Sequence, residues 1–332
     1  MRLLVGSVVL MSLVGCNAIE EGSWSQANSG WGDAAPVDEA IWTEARDASI
    51  IERISRVDQP AAGVVFHPET LLARAGMSGI TCDVDPESGT VTTDYDFPGH
   101  GESVVDGLGD KVLISTSEGL YQHDIMQEDP IGLMLVNVDG EQLDNGWFVN
   151  AALVDDGVVA MKDDWGKSAV HWTGDDLMME LPFDGARSEL SVDHQSSVVW
   201  AAGRDGLWAV DKAGGVFMGP GEHVSWDSMA AFAWVADDSR LASVHPDGSV
   251  SWALDLGGEI MDVDAMGDHG TAVVLIDMGG DDKRVTMVDR DGVLLAWAPV
   301  HESALELAVS EHAERLAVMY RTETWYYVPH CP

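Results

Sequence analysis

From about residue 61 onward, the chain alternates short apolar runs with turns that are rich in glycine and aspartate. No apolar periodicity of helical spacing extends over a useful length in this region, so the runs predict strands. The most apolar runs recur every 32 to 46 residues, at 112–114, 158–160, 198–200, 241–243, 273–275 and 316–318, with a weaker one at 64–66. The region is therefore a repeat built from short strands.

Two units show the internal order of this repeat. In 190–219, apolar runs at 190–192, 197–202, 207–210 and 216–218 are separated by short turns, and 259–300 follows the same plan. Asp-Gly pairs mark tight turns because glycine accepts a positive φ angle. Units of about 40 residues with four strands are typical of propeller blades. The pattern predicts an all-β fold, a seven-bladed β-propeller, with six or eight blades as the alternatives.

One unit carries a family likeness. Its residues 247–252, Asp-Gly-Ser-Val-Ser-Trp, resemble the Asp-Gly-x-x-x-Trp outer hairpin of PQQ-like propeller blades. As a pattern, residues 60 to 330 are similar to the PQQ-like and WD40-like β-propeller superfamilies. Only this unit has the motif in full, since Asp291-Gly292 reaches Trp297 one residue late. The resemblance implies the propeller architecture and leaves the subfamily open.

The start of the chain has the pattern of an export signal. Arg2 precedes a continuous apolar run at 3–14, which is too short to span a bilayer and suits the h-region of a signal peptide. Leu13-Val14-Gly15-Cys16 resembles the lipobox of bacterial lipoproteins. This resemblance implies cleavage before Cys16, acyl chains on Cys16 and a lipid-anchored location at the cell envelope. Because Asn17 stands where an aspartate favours retention at the inner membrane, the outer membrane is expected. The alternative is an ordinary secretory signal with a chance cysteine.

Residues between the signal and the repeats differ from both. The stretch 17–37 is rich in Gly, Ser and Ala and predicts a flexible tether. Ile41, Ala45, Ile50, Ile51 and Ile54 are spaced as in one helix over 38–57, and whether that helix packs on the domain is open. The predicted organisation is a signal peptide at 1–15, a tether with a short helix at 16–58 and a β-propeller at 59–332.

The net charge of the chain restricts the classes of partner that it can bind. With 57 acidic and 17 basic residues, the formal net charge is −40. Such a chain repels phosphate backbones, so nucleic acid is not expected as a partner. The acidity favours solvation in salty surroundings, with attraction of a cationic partner as the alternative. Since 46% of the residues are hydrophobic, wholesale disorder is excluded.

Two cysteines remain besides Cys16. The last unit ends one strand short after 325–328, and propellers close by borrowing a strand from the N-terminal side or by a disulfide. Cys331 follows the third strand of the last unit, and Cys82 lies in the third strand of the first, its neighbour in a ring. We predict a Cys82–Cys331 disulfide, which an exported protein permits. The alternative is two buried free thiols.

Candidates for chemistry are sparse. There is no Gly-x-Ser-x-Gly motif, and His301-Glu302 is not followed by the second histidine of a zinc site because residue 305 is Leu. His123, His171 and His245 fall near hairpin ends and are expected at exposed turns. Weak calcium candidates are Asp83, Asp85 and Glu87, which alternate as in calcium loops, with Asp262, Asp264 and Asp268 as a looser set. No cofactor is expected, apart from this calcium.

Nine of the thirteen tryptophans fall into two groups. Those inside strands, Trp200, Trp208, Trp234, Trp252 and Trp297, are expected in the core between blades. Trp147, Trp165, Trp172 and Trp226 lie near strand ends and form a candidate aromatic edge that could bind protein or sugar.

The sequence therefore favours a lipid-anchored propeller that binds or scaffolds a protein partner of unknown identity at the envelope. Two alternatives stay open. One is an envelope enzyme with its site in the propeller funnel, such as a lyase, a glycosidase or a quinone-dependent dehydrogenase, because funnel sites leave no local motif. The other is a sensor or adhesin that binds glycans. Convergent Asp, His and Arg in the funnel would favour the enzyme, and a flat face with exposed Trp would favour binding.

Overall fold

We describe a computed structural model of the chain. The structure describes residues 31, 34–47, 51–67, 72–77, 79–95, 97, 103–108, 111–116, 119–124, 133–134, 148–154, 157–163, 168–172, 177–181, 189–203, 206–267, 270–310 and 315–329. In these residues, no helix is both long enough and apolar enough to cross a membrane.

The described strands form six four-stranded sheets and one five-stranded sheet. The first three four-stranded sheets, each given from its innermost strand outward, are β3 (Ala61–Phe66), β4 (Ala73–Met77), β5 (Ile80–Asp85) and β6 (Thr90–Tyr95); β7 (Ser103–Leu108), β8 (Lys111–Thr116), β9 (Gly119–Asp124) and β10 (Leu133–Met134); and β11 (Phe148–Val154), β12 (Gly157–Asp163), β13 (Ser168–Trp172) and β14 (Leu177–Leu181). The next is β15 (Glu189–Asp193), β16 (Val198–Gly203), β17 (Gly206–Asp211) and β18 (Gly214–Gly219).

The remaining sheets use elements from both ends of the chain. The five-stranded sheet is β19 (His223–Asp227), β20 (Phe232–Asp237), β21 (Arg240–Val244), β22 (Val250–Asp255) and β1 (Ala35–Pro36). It is followed by β23 (Glu259–Ala265), β24 (Thr271–Asp277), β25 (Lys283–Asp289) and β26 (Leu294–Val300), and then by β27 (Ala304–Val309), β28 (Leu316–Tyr320), β29 (Thr324–Pro329) and β2 (Ile51–Val57). The described helix is α1 (Glu39–Asp47).

These sheets stand in a ring. Their innermost strands contact one another in chain order, from β3 through β7, β11, β15, β19 and β23 to β27, and β27 contacts β3. Except for β1, neighbouring strands within each sheet are antiparallel, as hairpin connections require. The predicted all-β propeller architecture is confirmed.

The core consists of apolar layers between neighbouring sheets. The middle strands face a sheet on both sides, which is why 112–114, 199–202 and 272–276 are continuous apolar runs with no exposed surface. Trp200 and Trp234 are fully buried in such layers, as predicted. The apolar run at 241–243 lies in β21, the third strand of its sheet, whereas 198–200 and 273–275 lie in second strands. Because the run at 241–243 lies one strand later in its sheet than the run at 273–275 does, the spacing between these two runs is only 32 residues.

The prediction of one helix over 38–57 is wrong beyond residue 47. Helix α1 ends at Asp47, and residues 51–57 form β2, which pairs antiparallel with β29 from Ile51↔Pro329 to Val57↔Thr324. Ile51, Ile54 and Val57 are β-branched and suit a strand. Without β2, the edge of β29 would have unpaired backbone groups. The ring is therefore closed by a strand that comes from the segment predicted as a tether.

The rest of the described N-terminal segment also packs on the ring, and we call residue 31, residues 34–47 and β2 the belt. Trp31 is buried between the sheets of β15–β18 and β19–β22. Strand β1 pairs with β22 in parallel. Asp38 Oδ1 caps α1 by accepting from Ala40 N at 2.9 Å and Ile41 N at 3.0 Å. The described part of the predicted flexible tether is thus a packed element that crosses four consecutive sheets.

Two tryptophans and an arginine hold α1 on the ring. Trp42 packs edge-on against Trp297 with the ring centroids 6.0 Å apart, and Trp297 Nε1 donates to the Trp42 carbonyl oxygen at 2.6 Å. The guanidinium of Arg284 lies over both rings, 4.9 Å from the centroid of Trp42 and 4.3 Å from that of Trp297. Helix α1 therefore packs on the propeller.

Cys82 lies in β5, the third strand of its sheet, as expected. Its thiol is buried and free, and burial raises its pKa to about 12. Cys331 and Cys16 lie outside the described residues, so the disulfide and the lipidation stay predictions.

Candidate functional site

The ring encloses a central channel with a cavity of about 390 Å³. Its wall includes residues of all the innermost strands, among them Val65, Asp106, Ala152 and Asp264. Lysine and arginine are absent from the described residues that line it. Among the described residues, the channel thus brings together residues from every sheet.

Polar side chains on several innermost strands link one strand to the next. An innermost strand has no sheet partner on its channel side, so backbone N–H groups there need other acceptors. Glu189 Oε2 accepts from Val224 N at 3.0 Å, and Ser191 Oγ accepts from Trp226 N at 2.8 Å. Such side chains alternate along a strand because only every second residue faces the channel.

The same linkage recurs at later positions around the ring. Ser225 Oγ accepts from Ala265 N at 2.9 Å. On β23, Asp262 Oδ2 accepts from Leu307 N at 2.7 Å and Asp264 Oδ2 accepts from Val309 N at 2.8 Å. These carboxylates therefore link β23 to β27 through one oxygen each, and the second oxygen of each can contact other groups.

At the end of the channel where β15 and β19 begin, three of these side chains converge. Glu189, His223 and Asp262 each offer a ligand atom, and the three atoms lie within 4.8 Å of one another. His223 Nδ1 is 2.5 Å from Glu189 Oε1. The residues come from three successive innermost strands, β15, β19 and β23. We call them the channel triad.

The electrostatic environment at this end of the channel favours the protonated, neutral form of the acidic side chains. Burial, together with the charges of Glu189 and Glu306, raises the pKa of Asp262 well above its usual range. Desolvation by the channel wall, then repulsion from Glu189 and Asp264, raises the pKa of Glu306 to about 7. Burial opposes protonation of His223, but the neighbouring carboxylates, Glu189 above all, outweigh it and raise the pKa of His223. The site therefore holds more negative charge than its surroundings compensate.

Asp106 is a separate acid on the channel wall. Its Oδ2 accepts from Leu153 N at 2.6 Å, which links β7 to β11. Desolvation raises its pKa to about 6, well above that of an ordinary aspartate, despite this hydrogen bond. Because the folded-state pKa is the higher one, the folded protein binds the extra proton. The contribution of Asp106 to stability is thus fully present below about pH 4 and is lost as the pH rises through about 6.

We expect Asp106→Asn to stabilise the protein at neutral pH. This rise in pKa corresponds to at most about 3 kcal/mol, and because Asp106 is only half-buried, solvent screening reduces this to about 1–2 kcal/mol. The asparagine Oδ1 can still accept from Leu153 N. Urea unfolding should show little difference from the parent near pH 4 and the full gain near pH 8. Asp291→Asn, at an exposed turn, is the control; equal gains in both variants would contradict the assignment.

The calcium candidates do not come together. Asp83 forms an ion pair with buried Arg74, Nε to Oδ1 at 2.8 Å, and accepts from the Tyr95 hydroxyl at 2.8 Å. Asp85 accepts from Glu87 N at 2.9 Å within its turn, and Glu87 contacts Arg315 Nη2 at 2.9 Å. Among the described residues, the channel triad is the group close enough to share an ion.

Of the candidate aromatic edge, the structure describes the side chain of one member. Trp226 lines the channel and stacks on Trp200 with centroids 5.6 Å apart. Trp172 ends β13 but its side chain is not described, and Trp147 and Trp165 lie outside the described residues. The aromatic edge therefore stays a prediction, with Trp226 located in the channel.

The histidines that were expected at exposed turns differ from one another. The expectation is wrong for His123, which is buried in β9 with its ring 5.5 Å from those of both Tyr95 and Phe97. His245 follows β21, is half-buried and contacts Ser251 Oγ at 2.6 Å. The side chain of His171, in β13, is not described.

No protein-family model matches the chain, and no curated protein matches it either.

Proposed function

We propose that this chain is a lipid-anchored lipoprotein of the cell envelope whose β-propeller is a binding or scaffolding module for a protein partner. The observation that carries this proposal is the belt. The lipobox-like residues end at Cys16, and Trp31 is already buried in the ring. The anchor and the propeller are thus separated by only residues 17–30.

This short connection limits where the ring can be. Fourteen residues lie between Cys16 and Trp31. A fully extended chain spans at most about 3.6 Å per residue, so the ring lies within roughly 50 Å of the anchored sulfur. Because the belt is packed on four sheets, the ring could move further from the anchor only if the belt detached and its buried apolar surface became exposed. A rigid body held this close to a membrane suits recruitment of another envelope protein.

The anchor is tested by expressing the chain with Cys16 and with Cys16→Ala. Mass spectrometry of the mature N-terminal peptide should find acyl chains on Cys16, and density-gradient separation should place the protein with the outer membrane. Cys16→Ala should leave the membrane fraction. Equal membrane association of both forms, or an unmodified Cys16, would remove the anchor from the proposal.

The partner is tested by cross-linking intact cells and then isolating both forms under mild solubilisation. A stoichiometric protein found with the anchored form and lost with Cys16→Ala supports a membrane scaffold. If neither form brings a partner, the protein-binding function fails while the anchor stands.

We infer that the ring has seven blades, counting the five-stranded sheet as a blade with β1 added at its outer edge. This count is supported by the position of β19, whose neighbours in the ring are β15 and β23. The four-stranded sheets alone number six. Electron microscopy of the particle viewed down the channel would count the blades, and six or eight would overturn the inference.

A second candidate function is an envelope enzyme with its site in the channel. It is favoured by the convergence of Glu189, His223 and Asp262 at the end of a cavity of about 390 Å³. Against it, each of the two carboxylates has one oxygen committed to a backbone N–H of the next strand. Turnover of glycoside or uronate substrates that Glu306→Gln abolishes would favour the enzyme; no turnover with any of these substrates would favour the binding module.

A further inference from the structure

The channel triad has a composition that the binding proposal does not explain. Strand-linking hydrogen bonds require one acceptor atom per side chain, and serine supplies it equally well at Ser191 and Ser225. At the channel end, the acceptors are instead carboxylates with a histidine between them. Two acids and an imidazole in one place cost desolvation and repulsion that serines would avoid.

The geometry of the triad suits a shared ion. Two ligands of one ion with bonds of about 2.0–2.2 Å lie at most roughly 4.4 Å apart. The ligand atoms of Glu189, His223 and Asp262 lie within 4.8 Å of one another, and His223 Nδ1 is 2.5 Å from Glu189 Oε1. An ion would draw the most distant pair together by roughly half an ångström and would separate the hydrogen-bonded pair. Rotation of the side chains alone can supply this movement, since the three strands are fixed by the ring.

Both carboxylates are already oriented by their backbone partners. Val224 N holds Glu189 Oε2, and Leu307 N holds Asp262 Oδ2. Hydrogen bonds of this kind fix metal-binding carboxylates in known metal sites. Asp262 Oδ1 is then left as a ligand, whereas Glu189 Oε1 is bonded to His223 Nδ1, so an ion would replace the proton that these two atoms share.

A second observation concerns the charge around Asp262. Asp262 is only 8% exposed, and Leu307 N donates to its Oδ2 at 2.7 Å. Glu306 and Asp264 add negative charge beside it, and no described lysine or arginine lines the adjoining cavity. A largely buried carboxylate beside other acids is stabilised by a bound cation.

We propose that Glu189, His223 and Asp262 form a binding site for one divalent first-row transition-metal ion at the end of the central channel. The imidazole distinguishes this class from calcium and magnesium, which prefer oxygen ligands alone. Zinc is the probe of choice because it binds mixed carboxylate and imidazole sites. This proposal does not depend on the protein-binding function.

The test uses the mature lipidated protein in detergent, stripped with chelator and titrated with Zn²⁺ in a calorimeter at physiological salt with excess Mg²⁺. Magnesium occupies the acidic surface, so the remaining heat reports the selective site. We expect one Zn²⁺ per chain, and a rise in the unfolding temperature with Zn²⁺. Binding of Ca²⁺ or Mg²⁺ more tightly than Zn²⁺ would overturn the metal class, and absence of Zn²⁺ binding would overturn the site.

Matched variants locate the ion. His223→Gln, Glu189→Gln and Asp262→Asn keep the volume, and the two amides keep an acceptor for the backbone N–H. Each should weaken Zn²⁺ binding at least about 100-fold, whereas His245→Gln should not change it. Circular dichroism verifies that every variant is folded, and Co²⁺ absorption gives a direct view of nitrogen and oxygen ligation. Unchanged Zn²⁺ affinity in the folded triad variants would overturn the proposal.

Discussion

Replacing Gly63 with alanine should lower the free energy of unfolding by about 4 kcal/mol. Gly63 lies in β3 with φ of +83°, and a Cβ atom there would lie 1.7 Å from the Val104 carbonyl oxygen on β7. The left-handed backbone accounts for about 1 kcal/mol and the overlap with a neighbouring strand for about 3 kcal/mol. The reason for so large a steric effect is that the obstacle is backbone in the ring and cannot rotate away.

A second glycine separates these two causes. Gly279 has a similar φ of +91°, but a Cβ atom there would have no atom within 4 Å. Gly279→Ala should therefore cost about 1 kcal/mol. Urea unfolding of both variants at one pH measures the difference. Equal losses would mean that β3 and β7 separate freely, which would contradict the close approach of the first two sheets.

Removal of β2 should prevent the chain from forming a stable monomer. A chain that begins at Gln59 lacks the partner of β29 and exposes Ala317, Met319 and Tyr326, which form one buried cluster with Val57. The loss of the strand's hydrogen bonds and apolar burial is on the order of 5 kcal/mol or more, comparable to the whole stability of a domain. We expect aggregation or oligomers by size-exclusion chromatography, because the edge of β29 is unpaired.

Two further samples make this test specific. A chain that begins at Ile51 keeps β2 and loses Trp31 and Trp42, so it should stay monomeric with an unfolding free energy lower by a few kcal/mol. A synthetic peptide of residues 49–58 added to the chain from Gln59 should restore the monomer by strand addition. The same peptide with proline at positions 54 and 55 should not. A monomeric, cooperatively unfolding chain without β2 or peptide would contradict the role of β2.

Much of the architecture could be predicted from the sequence because its determinants are local. The turn at 247–248 forms as its Asp-Gly pair predicts, with Gly248 N donating to the His245 carbonyl oxygen at 2.8 Å. The units at 190–219 and 259–300 have the predicted strands. In contrast, β2 was predicted as helix because isoleucines at 50, 51 and 54 also fit helical spacing. Its partner β29 lies about 270 residues away, and no local signal indicates that pairing.

The channel triad could not be recognised for a similar reason. Glu189, His223 and Asp262 are 34 and 39 residues apart, and only the order of the strands in the ring brings them together. Asp262 and Asp264 belong to a loose acidic set, but their spacing alone predicts calcium ligands within one loop and gives no sign of partners on other strands. A usable signal existed: the first strand of successive units has polar residues two apart, at 189 and 191, 223 and 225, and 262 and 264. That alternation marks the face directed at the channel.

Closure of the ring by β2 also means that β2 is synthesised long before the strand with which it pairs. The N-terminal strand leaves the ribosome first, and its partner β29 follows about 270 residues later. At about 5–20 residues per second, β2 waits roughly 10–50 s without its partner. An unpaired strand is an aggregation hazard during such a delay. The apolar residues of β2 are interrupted by the charged residues Glu52, Arg53 and Arg56. Such charges oppose the pairing of an unpaired strand with the same strand of another copy.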